Sequence, residues 1–306
     1  MQLADSILSY INYIMYERKY SDYTVSNYKD DLTQYQAFVE NYTGADFDPL
    51  HPTVDLARGW MADMAQRGMK VTTIKRRLCA LKSYYRYLRR EKQVESNPLS
   101  LLPSPKVPKP LPVWVTESQM NALIDDTEFG EDFQGKRDKL LIDLIYSTGM
   151  RRSEAADLKT IDVDLGNKTI RVEGKGNKMR IVPFGEELDT LLKGLMEEKL
   201  HMFGYDTEYL ITDDDGERLS PDKVASIAHK YLSSIPTLAR QTTHVLRHSF
   251  ATNMLANGAD LMAVKELLGH ASLQSTEVYT HLTPQEILAN YRQAHPRSKK
   301  EEKTDF

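Results

Sequence analysis

Three short stretches, His244-Val245-Leu246-Arg247-His248, Leu268-Gly269-His270 and Glu277-Val278-Tyr279-Thr280-His281, bring imidazoles, a guanidinium and a phenol close together near the end of the chain. Residues three apart on a helix share a face. A helix starting near His244 therefore points His244 and Arg247 the same way while Leu246, Phe250 and Met254 turn inward. A proton carrier and a fixed cation then stand side by side. Asp260 is placed to cap a second helix in which Leu261, Val264 and Leu268 are spaced for burial. Gly269 stands where a left-handed residue ends such a helix, which delivers His270 at a defined turn. Ser272 is placed to cap a third short helix, carrying Tyr279 about two turns further on. Upstream, an apolar helix (Leu140, Leu141, Leu144, Ile145) breaks at Gly149. Arg151 then presents a second guanidinium at a turn, with Ser153 ready to cap the next helix.

Taken singly, each piece fits a solvated face or ordinary packing, and two other chemistries must be weighed. Lys168-Thr169-Ile170-Arg171-Val172 and Met179-Arg180-Ile181-Val182-Pro183 read as strands of a hairpin around Gly174-Lys175-Gly176-Asn177-Lys178. This glycine-lysine turn lacks the Gly-x-x-x-x-Gly-Lys-Ser/Thr pattern and joins strand to strand, so it does not read as a nucleotide loop. His244 and His248 have the i, i+4 spacing of a zinc helix. The residues between them are Val-Leu-Arg, which supply no glutamate base and set a cation beside the would-be dication. No metal and no other cofactor is expected. Cys79 is the single cysteine, leaving no internal disulfide and no multi-cysteine site.

In combination, Thr148-Gly149-Met150-Arg151-Arg152-Ser153-Glu154, Gly174 to Lys178, His244 to His248, Leu268-Gly269-His270 and Tyr279-Thr280-His281 resemble the tyrosine recombinase (phage integrase) family, and most of all its bacterial Xer-type members. The resemblance implies a catalytic set of Arg151, Lys175, His244, Arg247, His270 and the nucleophile Tyr279, with Glu154 in support. It implies a 3'-phosphotyrosyl link and a free 5'-hydroxyl, with Lys175 donating a proton to the leaving 5' oxygen. His244 would manage the tyrosine proton and His270 would donate to a phosphate oxygen. The residue types suit this chemistry. A protein nucleophile that displaces an alcohol keeps the bond energy for rejoining. Two arginines, each a rigid fork of donors, match the non-bridging oxygens of a five-coordinate phosphate. Arg152 and His248 read as structural neighbours; Arg152 and Ala155 depart from the apolar residues often found there.

The elements that position these groups belong to a chain of 306 residues with 41% hydrophobic content, long and apolar enough for two domains with cores of their own. The expected fold is mainly α: an N-terminal four-helix bundle, SAM-like and DNA-binding by the resemblance, and a C-terminal mixed α/β catalytic domain with a small antiparallel sheet. The expected boundaries are residues 1–97, a Pro-rich linker at 98–113, a catalytic domain at 114–296 and a loose polar tail at 297–306. Helices are read over Leu3 to Glu17, from the cap Ser21 to about Glu40, from Thr53, and from Val71 or Thr72 to about Glu91. Thr116 and Gln119 suit a capping box.

The net charge of −4 argues against a polyanion partner until it is mapped along the chain. Gln66 to Pro110 holds 12 Lys and Arg against two acids, an excess of ten positive charges that leaves −14 for the remainder. In the fourth helix Ile74, Leu78, Leu81, Tyr85 and Leu88 form one buried stripe. Lys75, Lys82, Arg86 and Arg89 lie opposite, with Arg76 beside them, a face suited to DNA phosphates. Lys106 and Lys109 in the linker, which is too proline-rich for helix or inner strand, and Lys178 and Arg180 in the hairpin are further expected contacts to the DNA backbone.

Thr283, Pro284 and Glu286 mark a last helix striped by Ile287, Leu288, Tyr291 and Ala294. Such a helix packs by default on its own domain. The resemblance implies instead that it docks into a neighbour, linking a homo- or hetero-tetramer on two double-stranded DNA sites. It further implies resolution of chromosome or plasmid dimers, with a septum-associated DNA translocase as a possible partner. The alternatives are an integrase or invertase of a mobile element and, outside enzymology, an architectural DNA-binding protein. No membrane-length apolar run and no secretory start are legible, so a cytoplasmic location is expected.

Overall fold

The computed structural model describes residues 3–107, 113–174, 178–269 and 284–298. Lys175, His270 and Tyr279, the linker's Lys109 and the expected Ser272-capped helix lie outside them. The chain divides into two compact units, Met1–Pro110 and Leu111–Phe306.

In the first unit α1 (Asp5–Asn12) runs into a wider π-turn, followed by α2 (Asp22–Thr43), α3 (Val54–Gln66) and α4 (Val71–Arg90). The expected four-helix bundle is therefore present. Thr53 caps α3 by accepting from the Leu56 N–H at 3.2 Å, whereas the Ser21 hydroxyl at the start of α2 pairs with Thr24 rather than with a backbone N–H. The core gathers Ile7, Tyr10, Tyr35, Trp60, Leu78, Leu81 and Tyr84, and Ser6 joins Tyr84 through a 2.6 Å hydroxyl contact. All five residues of the α4 stripe are buried.

The linker corrects one expectation. Its first residues form a 3₁₀ turn, Pro98–Leu101, in which Asn97 Oδ1 accepts from the Leu99 N–H at 3.1 Å. Leu99 and Leu102 insert into the first core. Two buried leucines and one cap outweigh the tendency of the prolines toward an extended path.

In the second unit come α5 (Glu117–Asn121), α6 (Phe133–Thr148) and α7 (Arg152–Asp157), then the strands β1 (Val163–Asp164), β2 (Thr169–Gly174) and β3 (Lys178–Pro183). There follow α8 (Glu186–Phe203), α9 (Pro221–Leu232), α10 (Thr243–Ala256), α11 (Leu261–Leu268) and α12 (Pro284–Ala294). The strands form one antiparallel sheet in the order β1-β2-β3. The Thr116–Gln119 capping box opens α5 as expected. α6 is the central element, its residues from Leu140 to Thr148 all buried. It ends at Gly149, whose φ of +63° is left-handed. A Cβ there would lie 2.7 Å from the Phe250 ring and 2.8 Å from Leu268, so only glycine lets α10 and α11 close on the end of α6.

α12 packs on its own unit, the default named above. Tyr291 is fully buried and donates to the Ser147 carbonyl at 3.0 Å, while Asn257 donates to the Ala294 carbonyl at 3.0 Å. The loose tail does not begin at Arg297. Pro296–Ser298 is a 3₁₀ turn, and Arg297 is 6% exposed with Asp125, Asp143 and Glu187 around its guanidinium. A cation this deep persists because several acids surround it.

Candidate active site

Helix ends position the functional side chains. Asp260 caps α11, its carboxylate accepting from the Met262 and Ala263 N–H groups at 2.8 and 3.1 Å, and Gly269 ends the helix at a φ of +62°. A helix leaves its last four carbonyls without intrahelical donors and concentrates partial negative charge there. Here three consecutive carbonyls each meet an arginine. Arg180 Nε donates to Leu267 O at 2.7 Å, Arg247 Nη2 to Leu268 O at 2.6 Å and Arg151 Nη2 to Gly269 O at 3.3 Å. Arg247 also donates to the Gly149 carbonyl, which ties the end of α6 to the end of α11.

Glu154 supplies the counter-charge. Its side chain is 5% exposed and accepts from the Arg151 backbone N–H at 2.9 Å and from Arg151 Nη1 at 2.6 Å. It also takes both terminal nitrogens of Arg180, at 3.1 and 2.7 Å. Burial by itself raises the carboxyl pKa, but the Arg180 and Arg151 contacts outweigh it and hold Glu154 below the usual carboxylate range. The Glu154 carboxylate reaching back to Arg151 also corrects the expected start of α7: the cap position is Arg151, not Ser153.

Three guanidiniums against one carboxylate leave an excess of two positive charges beside the segment that leads to His270 and Tyr279. Arg247 is 8% exposed, and burial, then repulsion from Arg151, pushes its pKa down to about 10. It stays protonated at neutral pH yet poorly solvated, a state that an arriving anion relieves. The Arg151 side chain is 33% exposed and lines an open groove of about 930 Å³ with Glu154, Arg171, Gly174 and Met179. His244, on the first turn of α10, is exposed, as is His248, while Leu246, Phe250 and Met254 are fully buried as expected. Arg152 pairs with Asp222 at the surface, 3.2 Å away.

The expected DNA-contact residues divide. Lys75, Arg86, Arg89, Lys106 and Lys178 are exposed. Arg76 is exposed too but forms a two-pronged pair with the buried Asp31, and the ammonium of the half-buried Lys82 is held by the Leu102 carbonyl. Arg180, read from the sequence as a backbone contact, has its side chain 8% exposed and its guanidinium turned inward. The cross-strand register carried the signal for this. Val172 faces Arg180 and Ile170 faces Val182, so Arg180 shares the inner face of the sheet while Met179 and Ile181 point out.

Residues 113–286 match the phage integrase family, and residues 7–92 match the phage integrase N-terminal SAM-like domain. This chain belongs to the phage integrase family. It is 34% identical over 306 residues to the tyrosine recombinase XerC of Chlorobaculum tepidum, covering 92% of this chain and 91% of that relative. It is likewise 34% identical over 298 residues to the tyrosine recombinase XerC of Bacillus subtilis, covering 94% and 95%. Among solved structures it resembles the XerH site-specific recombinase bound to palindromic difH substrate in a post-cleavage complex. That match has a TM-score of 0.66 at 24% identity, covering 88% of this chain and 79% of that one. A lambda integrase dimer bound to a COC' core site matches with a TM-score of 0.68 at 18% identity over 93% of this chain and 100% of that one. These two likenesses show the fold of the family, helical N-terminal domain and mixed catalytic domain alike.

Proposed function

We propose that this chain, a tyrosine recombinase by its family and relatives, cuts and rejoins a specific double-stranded DNA site through Tyr279. The phenolate attacks the scissile phosphorus, a phosphorus–oxygen bond forms to the tyrosine, and the bond to the 5' oxygen breaks. Lys175 supplies the proton for that leaving oxygen and His244 takes the one lost by the phenol; reversal rejoins the strand, so neither water nor ATP enters the balance. Arg151 and Arg247 hold the non-bridging oxygens, His270 adds a donor, and Glu154 fixes Arg151. The observation that carries this reading is the cationic excess built on the last carbonyls of α11, next in sequence to the segment bearing His270 and Tyr279. Preorganised donors in a desolvated setting are the means by which a protein stabilises charge that develops only in the transition state.

On the DNA, the exposed α4 cations Lys75, Arg86 and Arg89, with Lys106, Lys109 and Lys178, would position the duplex without reading its bases. The XerC relatives support resolution of chromosome or plasmid dimers; on this proposal it takes place in the cytoplasm, on two sites held by a homo- or hetero-tetramer, beside a septum-associated translocase. Among the described residues no helix is long and apolar enough to cross a membrane. Exchange of α12 between protomers would move the Tyr279 segment with it, since residues 270–283 join α11 to α12.

The test is covalent trapping on a nicked half-site in EDTA, read on a denaturing gel. Wild type is expected to form the adduct, and Tyr279→Phe to bind the same DNA without forming it. Equal adduct from both proteins would remove Tyr279 as the nucleophile, and loss of the wild-type adduct in EDTA alone would restore a metal mechanism.

A further inference from the structure

Arg180 is the member of the guanidinium cluster whose three nitrogens are all taken by the protein itself. Its three nitrogens each meet an acceptor: Nη1 and Nη2 donate to the two oxygens of Glu154, and Nε donates to the Leu267 carbonyl. It thereby joins β3, the start of α7 and the end of α11, three segments far apart in the chain. The strand opposite closes over the pair. A Cβ on Gly174 would lie 3.6 Å from Arg180 Nη1 and 3.8 Å from Glu154 Oε1, and Gly174 immediately precedes Lys175.

We propose that Arg180 is a positioning residue for the recombination chemistry, holding Glu154 and the end of α11 so that Arg151 and Arg247 stay aimed at the scissile phosphate. The inference rests on the recombinase reading above and assigns Arg180 a task other than contact with DNA. Glu154 is a buried carboxylate that needs donors on both oxygens. With Arg180 in place, the Arg151 side chain gives it Nη1 alone, and the remaining Arg151 donors are available to Gly269 O and to a phosphate. Without Arg180, Glu154 would draw Arg151 into a two-pronged pair and turn its fork away from substrate. The Leu267 carbonyl would lose its donor as well, loosening the helix end on which Arg247 and Arg151 rest. Lysine cannot substitute, because a single nitrogen does not span a carboxylate and a carbonyl in fixed directions.

The experiment compares wild type, Arg180→Lys and Arg180→Gln in three measurements: single-turnover adduct formation at saturating protein, DNA affinity across a salt series, and thermal melting. Both variants are expected to slow adduct formation at least about tenfold, as misplacement of catalytic groups does. The salt slope of binding should match wild type, and Arg180→Lys should melt cooperatively yet fail to recover the rate. If Arg180→Gln does not fold, the lysine variant alone decides. A salt slope lower by about one with an unchanged bound-state rate would identify a phosphate contact and overturn the assignment. So would an unchanged rate in Arg180→Lys, or loss of folding in both variants, which would mark Arg180 as purely structural. A wild-type protein that forms no adduct would count against the recombinase reading itself, whereas variants that equal an active wild type would count against Arg180 alone.

Discussion

Positive charge exists in two opposite physical states in this chain. On α4 the guanidinium and ammonium groups of Lys75, Arg86 and Arg89 stand in solvent on a face backed by a buried apolar stripe. At the end of α11, Arg247 and the Arg180 side chain are nearly dry and every one of the three arginines is tethered to a backbone carbonyl. The first arrangement is inexpensive, mobile and screened within about 10 Å at 0.1 M salt, which suits it to holding a duplex in many registers. The second opposes folding, because burial depresses Arg247 and the cations repel one another. It has its orientation fixed before any substrate arrives, which suits it to one phosphate at one instant of reaction. On the function proposed above, charge that binds and charge that catalyses would be separated by solvation.

Three changes probe that separation. The largest effect is expected from Arg247→Ala: single-turnover cleavage should fall by about 10²- to 10³-fold while half-site affinity changes little. Comparable losses in both would mean that the buried cluster is a binding surface after all. Next, Lys75→Gln, Arg86→Gln and Arg89→Gln should each lower the slope of log affinity against log salt by about 0.9 and leave the cleavage rate of the bound complex unaltered. A changed bound-state rate would erase the distinction from the other side. The third change concerns burial itself. His295 is fully buried, its Nε2 lacks a partner, and desolvation pushes its pKa down to about 3. Below the unfolded value of about 6.5 the unfolded chain binds the extra proton. His295 should therefore make stability fall by up to about 1.4 kcal/mol per pH unit between those values as pH decreases. His295→Leu should flatten that part of the stability–pH curve; an unaltered slope would show that His295 is solvated and the interior wetter than its packing indicates.

What the sequence revealed follows from range. The inward Leu246, Phe250 and Met254 of α10, the Asp260 cap, the glycine stops at 149 and 269 and the α4 stripe depend on residues a few positions apart, and each lies where local pattern placed it; Arg247, expected beside His244 on one face, is buried while His244 is exposed. Features set by distant partners were not legible. One local choice also went the other way: Ser153 has the right chemistry for a cap, but the carboxylate of its neighbour Glu154 takes the free N–H of Arg151, three residues back. Met179 and Ile181 resemble the inner face of a strand, yet pairing of Val172 with Arg180 and Ile170 with Val182 puts the arginine inside and the two apolar residues out. Arg76 is spaced for the DNA face and stays exposed there, and its pairing with the buried Asp31, 45 residues earlier, is the part that local pattern did not show. Arg297 begins a stretch without any apolar periodicity, and only the meeting of Asp125, Asp143 and Glu187 from other elements gives it a buried place.

The central claim, that the buried Arg247 acts with Arg151 to meet charge on the scissile phosphate, is tested most directly by changing that charge. Single-turnover cleavage by wild type and Arg247→Ala should be measured on a normal half-site and on one whose scissile phosphate is an uncharged methylphosphonate. The account predicts that the variant's large deficit on phosphate shrinks by at least tenfold on methylphosphonate, where about one less unit of charge must be stabilised. A deficit of the same size on both substrates would show that Arg247 maintains the fold of the site without serving the charge of the reaction, and would contradict it.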